Sequence, residues 1–162
     1  LGDWVDFRVS QIDRQVEALR RRIDLVDPAV RLSAAVKAHA DEAYFQFGQN
    51  WTGWLEQGFL DFVVPMSYLP NVPELAQVME VGLERVDPRK IIGGVGVYKL
   101  SSVAAADQIA YFREKGLLGF CMFSYTTFLE NPGMIDKLNM LFTIPGDGFP
   151  DEFGHYLRSA YE

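Results

Sequence analysis

The chain has 162 residues, enough for one domain with an ordinary core, and its 49% hydrophobic content is that of a globular protein. A net charge of -7 argues against nucleic-acid binding, which needs clustered Lys and Arg. No apolar run approaches the roughly 18 residues of a membrane span, and one cysteine permits neither an intrachain disulfide nor a Cys/His zinc site.

The first element is a helix over residues 4–26. Ile12, Val16, Leu19, Ile23 and Val26 recur at steps of four and three, which sets them on one face. Arg20, Arg21 and Arg22 have acidic neighbours and are expected on a solvated face. Asp27-Pro28 ends the helix, because the residue before proline avoids the α region. The opening Leu1-Gly2-Asp3-Trp4 does not read as a signal peptide, and the missing initiator Met predicts a fragment of a longer protein.

Four apolar runs follow, at 30–36, 60–68, 90–98 and 117–125. Their starts are spaced by roughly 30 residues, the size of a βαβ unit. Each is nearly continuous rather than alternating, as in parallel strands covered on both faces. Cys121 lies in the last run and is expected to be a buried, inert thiol. A helix is predicted after each run. The first covers 45–56, with Trp51, Trp54 and Leu55 as core residues and Gly58 as its stop. Asn71 caps the second, with Glu74 three positions on, and Val86-Asp87-Pro88 closes it. Ser101 or Ser102 caps the third, which ends at Gly116, and Asn131-Pro132 opens the last.

The order α-βα-βα-βα-βα predicts an α/β fold of parallel (βα) units, either an open doubly wound sheet or a segment of a TIM (β/α)8 barrel. A whole barrel needs about 250 residues. Gly93, Gly94 and Gly96 in the third run weaken it as a strand, and are expected where neighbouring strands need room for large side chains inside a barrel. The predicted boundaries are a barrel segment at 1–142 and a loop and tail at 143–162.

Several stretches together resemble the family-10 glycosyl-hydrolase-like proteins of bacteria. They are Ser33-Ala34-Ala35-Val36, Gly48-Gln49-Asn50-Trp51, Trp54-Leu55-Glu56-Gln57-Gly58 and Asp61-Phe62-Val63-Val64-Pro65-Met66-Ser67-Tyr68. Trp4-Val5-Asp6-Phe7-Arg8 fits the helix after that family's fourth strand. Gly94-Val95-Gly96-Val97-Tyr98 and Gly119-Phe120-Cys121-Met122-Phe123-Ser124-Tyr125 fit its seventh and eighth. The resemblance spans roughly residues 4–142. It implies half of a TIM barrel, strands five to eight, within a glycoside hydrolase. It also implies that the acidic pair at the end of strand four lies upstream of this chain.

In such barrels the working residues sit at the C-terminal ends of strands. The candidates there are Lys37, His39, Asp41, Ser67, Tyr68, Tyr98, Lys99, Ser124 and Tyr125. Tyr68 leads, since its ring can stack on a sugar while its hydroxyl donates a hydrogen bond. Lys99 can hold a substrate hydroxyl or pair with a carboxylate, and His39 can carry a proton near neutral pH. Glycoside hydrolysis needs two carboxyl groups about 5–5.5 Å or about 6.5–9.5 Å apart. The acids near strand ends, Asp41, Glu42 and Glu130, belong to the first and last units and make no evident pair, whereas Asp61 begins its strand and faces the stability end. Catalytic carboxylates are therefore expected outside this chain. No cofactor or metal is expected. The expected partner is a carbohydrate substrate. The competing expectations are a non-catalytic carbohydrate-binding module and a half barrel that pairs its open edges, either with a second copy or with an N-terminal half.

Overall fold

The structure, a computed structural model, describes residues 2–142, so the loop and tail expected at 143–162 lie outside the described residues. Helix α1 (Gly2–Val26) runs for 25 residues. Val9 is buried and Ile12 and Val16 pack on the core, but Leu19 and Val26, on the predicted apolar face, stay exposed. A helix of this length spans about 37 Å, while a four-residue strand rises only about 13 Å, so neighbouring elements cannot cover it all. Arg20 departs from the predicted solvated cluster. It turns inward, bonding Asp61 at 3.3 Å and the Val30 carbonyl.

Among the described residues four short parallel strands follow: β1 (Ser33–Val36), β2 (Phe62–Pro65), β3 (Ile92–Val95) and β4 (Gly119–Met122). β1 pairs with β2 and β3 with β4, and a parallel bridge between Val63 and Ile91 joins the two pairs. Each strand therefore lies beside its successor in sequence. Each is shorter than its apolar run. At the start of β2, Asp61 accepts the Leu32 N–H at 2.6 Å, which ties the entry of β2 to that of β1.

The helices between strands are punctuated as the sequence dictates. α4 (Val72–Leu83) is capped by Asn71, whose side chain accepts the Glu74 N–H at 3.0 Å. α5 (Ser102–Glu114) is capped by Ser101, which accepts the Ala104 N–H. α7 (Gly133–Phe142) begins just after Asn131-Pro132. The helix predicted at 45–56 is corrected. It is two helices, α2 (Ala40–Phe47) and α3 (Trp51–Glu56), separated at Gly48 with φ +68°. A left-handed residue ends a helix, and glycine takes that conformation without a steric cost. A further short helix, α6 (Tyr125–Glu130), occupies what was expected to be the end of the fourth strand run and the loop after it.

The core lies on one face of the sheet. Val36, Val63, Ile91 and Val95 point into it and meet Trp51, Trp54, Leu75, Met79, Ile109 and Phe112 from the helices. Each such buried side chain contributes about 1.5–3 kcal/mol of hydrophobic stabilisation. Close approach is built in at Gly82, where a Cβ would stand 2.5 Å from the Trp51 ring, and at Gly93, where it would stand 2.3 Å from Phe112. Gly93 therefore makes room for helix α5, which corrects the expectation that it makes room for side chains of neighbouring strands.

Strand residues alternate between faces. The second face carries Ser33, Ala35, Phe62, Val64, Ile92 and Cys121. Of these, Ser33, Ala35 and Cys121 are exposed and the others half-buried. Cys121 is thus an exposed thiol, correcting the buried one predicted. The apolar run around it promised burial, but burial on this face needs a covering layer absent among the described residues.

Candidate functional site

Three aromatic rings gather at the C-terminal ends of β2, β3 and β4. Tyr68 follows β2, Tyr98 lies in the 3-10 turn after β3, and Phe123 follows β4. Tyr68 stacks on Phe123 with centroids 5.4 Å apart and planes 14° apart. Tyr98 meets Tyr68 at 6.1 Å and Phe123 at 5.9 Å, edge-on to both. Offset and edge contacts of this kind complement the ring quadrupoles, and each is worth about 0.5–1.5 kcal/mol beyond area burial. Tyr68 is half-buried, while Tyr98 and Phe123 are about half exposed.

The backbone beneath is shaped for this cluster. A Cβ at Gly96 would stand 2.9 Å from the Tyr68 Cβ, so Tyr68 lies against bare backbone. Ser67 is buried, and its hydroxyl donates to the Gly94 carbonyl at 2.9 Å, fastening the end of β2 to β3. The Lys99 ammonium lies 5.2 Å from the centre of the Tyr98 ring, a cation–π distance. Burial above all holds the Tyr68 phenol above its ordinary pKa, and the nearby Cys121 and Tyr98 raise it further. Tyr68 is therefore a neutral hydrogen-bond donor at physiological pH.

Ser67, Tyr68, Tyr98 and Lys99 are thus brought together. Tyr125 opens α6, is 64% exposed and makes none of the three ring contacts. Ser124 is the N-cap residue of that helix, without a side-chain cap bond. His39 and Asp41 follow β1 and already have partners. His39 Nδ1 accepts the Glu42 N–H at 3.3 Å as the cap of α2, and Asp41 pairs with Arg85 at 2.8 Å. The Lys37 ammonium lies 4.5 Å from the centre of the Phe47 ring. Asp61 holds Leu32 and Arg20 at the opposite end of the sheet.

Phe123 is the member that sequence reasoning missed. Its signal was present: it stands two residues after Cys121, so an extended chain puts both on the same face. No group of three or more His, Cys, Asp or Glu able to hold a metal occurs among the described residues. Nor is any described helix long and apolar enough to cross a membrane. A groove between α4 and α5, lined by Glu80, Glu84, Tyr111 and Lys115, lies on the helical layer and shares no residue with the ring cluster.

The sequence model of a family described as glycosyl hydrolase-like 10 matches residues 1–109. No curated protein matches the chain.

Proposed function

The chain belongs to the glycosyl hydrolase-like 10 family, and from that premise we propose that it supplies strands five to eight of a (β/α)8 barrel and one wall of a carbohydrate-binding rim. The observation that carries this reading is the Tyr68, Tyr98 and Phe123 cluster at the C-terminal strand ends, where barrels of this kind keep their working groups. The exposed parts of Tyr98 and Phe123 offer apolar area to the C–H face of a sugar, and neutral phenols donate and accept hydrogen bonds with its hydroxyls. Lys99 and Tyr125 extend the wall, and Ser67 supports it. His39 and Asp41 contribute further along the rim if their bonds to Glu42 and Arg85 open.

Two features of the sheet support the half barrel. Among the described residues the strands are neighbours in chain order, without the reversal that a doubly wound sheet has at its switch point. Among the described residues the second face of the sheet is largely apolar yet only partly covered, whereas parallel sheets are normally buried on both sides. Remaining strands closing a barrel would cover that face and bring the carboxylates that glycoside hydrolysis requires.

A second reading is favoured by the make-up of the cluster. Its contacts are ring to ring and Lys99 to ring, while the strand-end acid Asp41 is paired with Arg85 instead. A non-catalytic carbohydrate-binding module, or a half barrel that pairs with a second copy through its open edges, would look like this. The test is a glycoside panel assayed on the intact protein, with Tyr68→Phe and Lys99→Ala compared with wild type. Turnover that both substitutions weaken supports the hydrolase wall. Binding without turnover supports the module, and the absence of any glycan binding refutes both carbohydrate readings. A concentration-dependent dimer in light scattering would support self-assembly.

A further inference from the structure

Tyr68 sits on a loop with a hydrogen bond to a neighbouring element on each side of it. On one side, Ser67, only 1% exposed, donates its hydroxyl to the Gly94 carbonyl at 2.9 Å. On the other, the Leu69 carbonyl accepts Gln108 Nε2 at 2.7 Å. Gln108 lies in α5, with none of its surface exposed. A buried amide costs free energy unless its hydrogen bonds are made. Here Nε2 is satisfied but Oε1 has no partner among the described residues. An apolar residue of the same shape would fill this site without leaving an acceptor unpaired, so packing alone does not account for a glutamine. Its remaining bond reaches out of the helix to the loop that carries the ring. Between the two bonds, the Tyr68 Cβ is pressed to the bare backbone of Gly96.

We propose that Gln108 and Ser67 are positioning residues that set the Tyr68 ring at the strand ends, transmitting the placement of α5 and β3 to the ring cluster. This rests on the reading of that cluster as a carbohydrate wall, but makes a claim about the ring that can be read without any sugar. Removing either bond frees the loop while leaving the helical core packed. The ring then samples orientations in which its face no longer lines up with Phe123.

The experiment uses the 162-residue chain with isotope-labelled tyrosine. The Tyr68 ring signals are assigned by their loss in Tyr68→Phe. Gln108→Met keeps the shape of the side chain and removes the donor, and Ser67→Ala removes the other. Tyr111, three positions along α5 from Gln108, reports on the helix itself. The expected result is a shift or broadening of the Tyr68 ring signals in both variants, with those of Tyr111 unmoved. For cellotetraose or chitotetraose, whichever the wild type binds, affinity falls about tenfold, the scale of one lost hydrogen bond. If Gln108→Met does not fold, Ser67→Ala decides alone. Unchanged Tyr68 signals in a folded variant overturn the proposal, as does Tyr111 moving as much as Tyr68, which would mark a purely structural role. Tyr68 moving in a chain that binds neither oligosaccharide upholds the positioning role and counts against the carbohydrate wall.

Discussion

Replacing Gly94 by alanine probes the seam between β2 and β3 on which the ring cluster stands. A Cβ at this position would lie 2.3 Å from the Pro65 carbonyl oxygen and 3.5 Å from Tyr68 Cε1. The second distance is ordinary contact. The first is not, and the obstacle is backbone rather than the end of a flexible side chain, so β3 must move roughly 1 Å from β2. Overpacking of this kind costs about 1–3 kcal/mol. For a chain of this length each kcal/mol lowers Tm by about 2–4 °C, so the expected fall is roughly 6 °C. Gly119→Ala is the matched control. It lies in β4, and among the described residues a Cβ there meets nothing within 4 Å. It should stabilise by about 0.5–1 kcal/mol through the lost entropy of the unfolded glycine, raising Tm by roughly 2 °C. Thermal melts followed by circular dichroism read both variants. If the two melt within about 1 °C of each other, the close approach at Gly94 is not what holds the strands together.

Asp61→Ala leaves the Leu32 N–H and the Arg20 guanidinium without their shared acceptor, and should cost about 1.5–3 kcal/mol in urea unfolding. Asn71→Ala removes the cap of α4 and should cost about 1 kcal/mol, with the same assay reading it. Trp51→Ala opens a cavity against Gly82 and should cost about 3–5 kcal/mol, a large share of the roughly 5–15 kcal/mol that holds a domain folded, read in the same urea assay. The phenols of Tyr68 and Tyr111 are both raised, chiefly by burial. Their contribution is complete below the ordinary phenol pKa of about 10 and is lost as pH rises through the higher folded values. Stability measured from about pH 8 to about pH 11 should therefore decline, and Tyr68→Phe should flatten part of that decline. An unchanged alkaline slope in that variant would show that the folded environment does not hold the proton.

Much of the chain's order was legible because it is written in local chemistry. Asn71, Ser101 and Gly116 stop and start helices through their own backbone and side-chain bonds, with no help from distant residues. The four strands lie within the four apolar runs, and Trp51 and Trp54 are core residues as their spacing requires. Less legible was the break at Gly48. A single glycine inside a helical pattern is ambiguous, and its left-handed φ of +68°, together with its approach to Ile12 of α1, where a Cβ would stand 2.9 Å away, shows why glycine suits the position.

Sequence alone thus determined the alternation of strands and helices, their punctuation and the family, since capping, periodicity and motif spacing act over a few residues at a time. Only the tertiary structure decided which strand-end residues meet. It drew Phe123 into contact with Tyr68 and Tyr98, gave Asp41 to Arg85, and sent Gln108 from a helix interior to the loop after β2. It also exposed Cys121, because an apolar run states that a strand seeks cover but not whether its second face receives any. Side-chain encounters between units some 30 residues apart are set by how strands register and helices pack, and no local pattern encodes that.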